Sequence, residues 1–181
     1  MPHSEASVTT ASGHGEMCAA GCPGRTTAKA AAVGAEVAVT IRCPRRDVAA
    51  VMFNPRFDTA WIGGLRKSKA SSPGPLRNGA KVVRSWRRFG RSLAETSEVV
   101  GHVPDRSLEM TTQLPFGLSI RYELEGIPEG TIARICVEGR VTGLLRFAAI
   151  TFDQLLRSAV VRDLGRLKHL VESGAGRTRS G

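Results

Sequence analysis

The chain has 181 residues, a net charge of +10 at pH 7 and a hydrophobic share of 41%. That length holds one domain plus a tail and can bury roughly two-thirds of the unfolded surface. No stretch reaches the ~18 apolar residues that cross a bilayer; GLLRFAAITF comes nearest and Arg146 interrupts it, so no transmembrane segment is expected.

A basic balance invites nucleic acid, an anionic membrane surface or an acidic ligand. Here Glu95, Glu98, Glu109, Glu123, Glu125, Glu129 and Glu138 are interleaved with the basic residues. They break up a continuous patch, so an Arg-rich solvated face is the reading and nucleic acid is not the expected partner. The N-terminus has neither a basic n-region nor an apolar h-region. Ala19-Ala20-Gly21-Cys22 has the outline of a lipoprotein cleavage box without the apolar run that should precede it. The expected address is the cytoplasm, where thiols stay reduced.

Residues 1–34 are mostly small or polar and cannot bury enough surface to offset their ordering entropy. They read as a disordered tail, or as an extension from a misplaced start codon. His14, Cys18 and Cys22 lie four apart, but three ligands are too few and Gly15 and Gly21 weaken a helix there, so no metal is expected. The folded domain is expected over residues 35–173. It starts at Glu36, where Val37, Val39 and Ile41 alternate with Ala38, Thr40 and Arg42 as a half-buried strand. PRRDVAAVMFNP follows as a short helix and PRFDTAWIGG as a second helical turn closed by Gly63-Gly64.

From Leu65 the pattern turns to period two. LRKSKAS is a strand, SPGPLRNG a loop, AKVVRSWRRF a strand, Gly90 a tight turn and RSLAETSEVV a strand. Residues 101–105 form the next turn, and RSLEMTTQL is the strand after it. FGLSIRYELEG sets Phe116, Leu118, Ile120, Tyr122 and Leu124 on one face; TIARICVEGRV does the same with Ala133, Ile135, Val137 and Val141. One-sided alternation with short turns marks an antiparallel meander with a solvated face. Thr151 to Glu172 then reads as one long amphipathic helix, its stripe formed by Phe152, Leu155, Leu156, Ala159, Val160, Leu164, Leu167, Leu170 and Val171. Residues 174–181 are a polar tail expected to fray. The predicted class is α+β: a seven-stranded curved antiparallel sheet around a long C-terminal helix, with two short helices after the first strand.

This order resembles the helix-grip fold of the START/Bet v 1-like (SRPBCC) superfamily, and within it the polyketide cyclase/dehydrase-like group. The resemblance rests on Ile41 to Pro44, Asn54-Pro55 through Trp61, Gly79 to Val82, Phe89-Gly90-Arg91, Pro115-Phe116, Asp163 to Lys168 and Val171-Glu172. It implies a deep cavity between sheet and helix that holds a lipophilic molecule. Many members are binders, so it does not fix a reaction.

No G-x-S-x-G elbow, H-E-x-x-H, Walker loop or Rossmann glycine pattern is present, and no cofactor is expected. His102, in a predicted turn, and His169, on the last helix, read as surface residues. Cys43 and Cys136 lie on strands that neighbour each other in the resembled fold. They face opposite sides, Cys136 outward, which predicts two free thiols. Trp61, Trp86, Phe89, Met110, Phe116 and Tyr122 are the large side chains able to line a cavity, with Leu156 and Val160 from the helix above. The Tyr122 hydroxyl falls among apolar neighbours and wants a partner, which a ligand oxygen could supply; Thr112 offers a second polar point.

Either Arg84, Trp86 and Arg88 or Ser85, Arg87 and Phe89 face inward, and alternation alone does not choose. An inward Arg needs an anion: a ligand carboxylate or enolate, or Asp163 beside the helix stripe. The competing reading is an Arg that snorkels to a sheet edge. Three functions follow. The first is carriage of a lipophilic small molecule. The second is a cyclase or aromatase, with Tyr122 as donor, Arg84 as enolate stabiliser and Asp163 as base. The third is a basic interaction module for acidic lipid or nucleic acid. Whether the protein is an enzyme stays open at this level.

Overall fold

The alternating stretches pair as seven antiparallel strands in the order β1-β7-β6-β5-β4-β3-β2. The computed structural model describes residues 31–88, 91–112, 117–141 and 149–174. The elements run β1 Ala31–Ile41, α1 Arg45–Met52, α2 Asp58–Trp61, β2 Leu65–Ala70, β3 Lys81–Arg88, β4 Arg91–Val103, β5 Ser107–Thr112, β6 Ser119–Ile127, β7 Gly130–Val141 and α3 Ala149–Glu172. The tail, its Cys and His residues and its cleavage-box outline, together with Phe89, Phe116 and the C-terminal end, lie outside the described residues.

The architecture is the expected one, a curved sheet gripping a long helix. On β5 the burial alternates strictly, with Leu108, Met110 and Thr112 inward. Tyr122 and Leu124 do the same on β6, and Ala133, Ile135 and Val137 on β7. The outer face carries charges in pairs: Arg121 with Glu109 and Glu123, and Arg134 with Glu36 and Glu123. Such exposed pairs contribute little to stability, but they disperse the basic charge.

Two boundaries differ from expectation. Strand β1 begins at Ala31, not Glu36, and Ala31 pairs with Val141. Val33 is the only large apolar side chain in its first four residues, too little for an alternating signal, although it is buried and the stretch pairs in full with β7. Strand β4 runs on through Val103, past the expected turn at Gly101, because a bulge between Val99 and Gly101 resets its register against β5. His102 therefore opposes Leu108 on the inner face. It meets Phe53 edge-on at 6.1 Å and is not a turn residue.

Helix α3 starts at Ala149 and buries Val160, Leu164, Leu167 and Val171. Leu156 and Leu170 are partly buried against the same core. Toward its N-terminus the stripe emerges: Phe152 is 37% and Leu155 64% exposed. The helix lies chiefly along β1, and its polar side chains bond to that strand's open edge. Asp153 accepts from the Gly34 N–H at 2.9 Å and Glu172 from the Arg42 N–H at 2.8 Å. Lys168 donates to the Thr40 carbonyl at 2.8 Å and Arg157 to the Glu36 carbonyl at 3.4 Å. These partners are all even-numbered, which is the side of β1 turned away from β7.

Cys43 and Cys136 form no disulfide with each other. The Cys43 thiol donates to the Val171 carbonyl at 3.8 Å. Cys136, in register with Glu36 and Arg121, is nonetheless buried, with 9% exposure.

Candidate functional site

Strand β3 turns Val82, Arg84 and Trp86 inward: Val82 and Arg84 are buried, while Val83 is 42% exposed. The anion that Arg84 requires is Asp58, the first residue of α2. Arg84 reaches Asp58 Oδ2 through one terminal nitrogen at 2.9 Å and through Nε at 3.0 Å. The Ser68 hydroxyl donates to the same oxygen at 2.7 Å. Ser68 stands opposite Arg84 on β2, so strand pairing aims both donors at one carboxylate. A buried charge is tolerable only when paired and hydrogen-bonded. Neither Asp163 nor a ligand is needed for that role, which corrects the expectation for an inward Arg.

Burial pushes the Asp58 carboxyl up from its ordinary range, opposed by Arg84 and the Ser68 hydroxyl. Burial works against the Arg84 charge too, but Tyr122, Asp58 and Glu95 outweigh it and hold the guanidinium above its usual value. Glu95 opposes Arg84 on β4 and accepts the Trp86 Nε1–H at 3.2 Å. Arg84 thus sits between two carboxylates.

Tyr122 reaches the same cluster from β6. Its hydroxyl lies near enough to Arg84 for the guanidinium to pull on its proton. Burial raises the phenol pKa; Arg84 draws it back, and Asp58 and Asp163 raise it further. Trp61, the last residue of α2 and 1% exposed, stands edge-on against the Tyr122 ring.

Asp163 of α3 is held at the end of α2. Its Oδ1 accepts from the Gly63 N–H at 2.9 Å and from Arg166 at 3.1 Å. Burial raises its carboxyl, against the pull of the Gly63 N–H, Arg166 and Arg162. A Cβ on Gly63 would meet an Arg166 nitrogen at 2.5 Å and Asp163 Oδ1 at 3.1 Å. This close approach clamps the end of α2 to α3.

Beyond the charged cluster, three buried polar atoms have no hydrogen-bond partner: Trp61 Nε1, Ser97 Oγ and Thr112 Oγ1. Ser97 and Thr112 face each other across β4 and β5, with Val82 opposite Ser97 on β3. Met110, two residues before Thr112, is fully buried, and Val160 of α3 is 7% exposed. Trp61, Met110, Thr112 and Tyr122 are thus all interior, Trp86 is half-buried beside Glu95, and Leu156 and Val160 pack from the helix. Asp58, Ser68, Glu95 and Ser97 are the members that sequence reasoning missed. For Asp58 a signal existed: a lone carboxylate among Phe57, Trp61 and Ile62 must be paired if that turn is buried.

Among the described residues, no three His, Cys, Asp or Glu side chains gather as a metal site. No helix there is long and apolar enough to cross a membrane. One surface hollow of about 240 Å³ lies on the outer face of the sheet by Ser107, Glu123 and Arg134. Another of about 600 Å³ lies beside α3, lined by Ala60, Arg162, Arg166, His169 and Leu170. Neither touches Arg84, Tyr122, Ser97 or Thr112.

No family model matches the chain, and no curated protein matches it. Solved structures do. A protein of unknown function from Staphylococcus aureus superposes with a TM-score of 0.68 at 14% identity, over 81% of this chain and 97% of that one. The di-domain ARO/CYC StfQ of the steffimycin biosynthetic pathway gives 0.66 at 14% identity, over 80% of this chain and 52% of that one. Ara h 8.0201 gives 0.62 at 14% identity, over 79% of this chain and 99% of that one. At such identities the likeness is one of architecture alone, and the chain has the helix-grip fold that these structures share.

Proposed function

We propose that the protein binds a lipophilic small molecule between the concave face of the sheet and α3. The observation that carries the reading is the set of three unpartnered buried atoms, Trp61 Nε1, Ser97 Oγ and Thr112 Oγ1. Leaving a buried polar group unsatisfied costs about 1–3 kcal/mol, and a guest with matching atoms removes that cost. The cluster of Arg84, Asp58 and Tyr122 is satisfied internally and serves as a rigid wall. Binding in the cytoplasm, with Cys43 and Cys136 reduced, is part of the proposal.

The test uses the protein's own fluorophores, since both tryptophans, Trp61 and Trp86, belong to this region. Titration with the uncharged dye Nile red is expected to give saturable one-to-one binding with a change in tryptophan emission. Absence of saturable binding, with no co-purified molecule in native mass spectrometry, overturns the reading.

One observation favours a second reading, a cyclase or aromatase like that named for StfQ. The Tyr122 phenol is held protonated beside a guanidinium, a donor pair suited to an oxygen that gains negative charge. Asp163, with its Oδ1 engaged, is not the base in this version. A poly-β-ketone probe is expected to yield a ring-closed, dehydrated product with the native protein and much less with Tyr122→Phe. Equal product with both proteins removes Tyr122 from the chemistry.

A further inference from the structure

The interior can be sorted by what it offers a guest. Arg84 is its buried cation, and Asp58 and Glu95 flank it. Asp163 adds a further carboxylate within electrostatic range of Tyr122. An anionic guest would therefore find a guanidinium already claimed and carboxylates around it. A cationic guest would displace Arg84 from Asp58 or sit beside it, and either arrangement leaves a buried positive charge poorly paired.

The unpartnered groups are of another kind. The Ser97 and Thr112 hydroxyls oppose each other directly on neighbouring strands, where facing side chains stand about 5 Å apart. Each is at least nine-tenths buried. Their backbone groups belong to the sheet, with the Thr112 N–H donating to the Leu118 carbonyl at 2.8 Å. The neighbours Val82, Val99 and Met110 are apolar and buried. The two hydroxyls face one another and neither has a hydrogen-bond partner in the protein, so an oxygen placed between them would be bonded from both sides.

We infer that the guest is an uncharged lipophile bearing at least one hydroxyl or carbonyl oxygen, and that this oxygen docks between Ser97 and Thr112. This rests on the binding reading above and narrows it to a chemical class.

The experiment measures displacement of Nile red by four ten-carbon probes at pH 7.5: 1-decanol, decanoate, decylamine and 1-chlorodecane. The protein is the full chain and its Ser97→Ala/Thr112→Val double variant. With the native protein, decanol is expected to bind at least ~10-fold tighter than decanoate or decylamine, because each ion must be desolvated without a partner. In the double variant the ratio of decanol to chlorodecane affinity is expected to fall by ~10-fold, the loss of two ordinary hydrogen bonds. A merely structural change would move both probes together and leave that ratio unaltered.

Decanoate or decylamine binding as tightly as decanol overturns the uncharged class. An unchanged decanol-to-chlorodecane ratio overturns the docking point, and is the result expected if a resident water already satisfies both hydroxyls. Failure of Nile red itself to bind saturably overturns the binding reading, whereas dye that binds and is displaced by no probe overturns this inference alone. The charge comparison uses the native protein alone, so it decides the class even if the double variant does not fold.

Discussion

Trp61 and Tyr122 meet edge to face, with ring centroids 6.2 Å apart and planes at 77°. One residue closes α2 and the other is central to β6, so the contact joins the crossover segment to the middle of the sheet. The Tyr122 hydroxyl lies within electrostatic range of Arg84, and Arg84 bonds to Asp58 at the start of α2. The aromatic contact and the ion pair thus both tie α2 to the interior of the sheet.

Tyr122 is the chain's one tyrosine, so its titration can be read without overlap. Its pKa is raised on folding, chiefly by burial. The corresponding stability is fully present below the unfolded value near ~10 and is lost as pH rises through the folded value, at up to ~1.4 kcal/mol per pH unit. Tyrosinate absorbance and circular dichroism, followed together from pH 8 to 12, are expected to change in one transition. Phenolate near pH ~10 with the fold intact refutes this.

Removing one member of the buried ion pair leaves the other charge stranded. Asp58→Ala is expected to cost about 3–5 kcal/mol in urea unfolding. Replacing both partners, as Asp58→Leu with Arg84→Met, is expected to cost less than the single change. A double variant less stable than Asp58→Ala would show that the pair does more than satisfy itself.

Ser97→Ala/Thr112→Val removes two hydroxyls that have no partner in the protein. Without added ligand it is expected to be more stable than the native chain, by about 1 kcal/mol or more, since apolar replacement of an unsatisfied buried group is favourable. Thermal melts of delipidated protein check this. A lower melting temperature means that the hydroxyls are already satisfied.

Glu172 accepts the Arg42 N–H and Asp153 the Gly34 N–H. Glu172→Ala and Asp153→Ala are each expected to speed hydrogen exchange at that one amide and to cost only about 0.5–1.5 kcal/mol globally. Unaltered exchange at Arg42 and Gly34 would show that water serves those amides equally well.

The sheet and its helix were legible because β5, β6 and β7 alternate cleanly and α3 carries a long stripe. What was hidden has particular physical causes. Between Ala31 and Gly34 only Val33 is large and apolar, so the stretch that pairs with β7 shows no alternation to read. The β4 bulge at Val99–Gly101 is a backbone event that inverted the expectation for His102. The phase of β3 was undetermined because Arg84 and Arg87 look alike in alternation, and only the position of Asp58, 26 residues earlier, makes an inward guanidinium tolerable. Of the three catalytic candidates, Tyr122 and Arg84 are both buried and lie within electrostatic range of each other. Asp163 lies near them but is occupied with Gly63.

The bonds from α3 to β1 bear on how a guest gets in. Swinging the helix aside would bare the Gly34 and Arg42 amides and the Glu36 and Thr40 carbonyls at once. A row of bare groups like that recruits a neighbouring molecule into the sheet. Loading by a hinged helix would therefore trade entry against polymerisation, whereas threading past the exposed apolar end at Phe152 and Leu155 leaves the seam zipped.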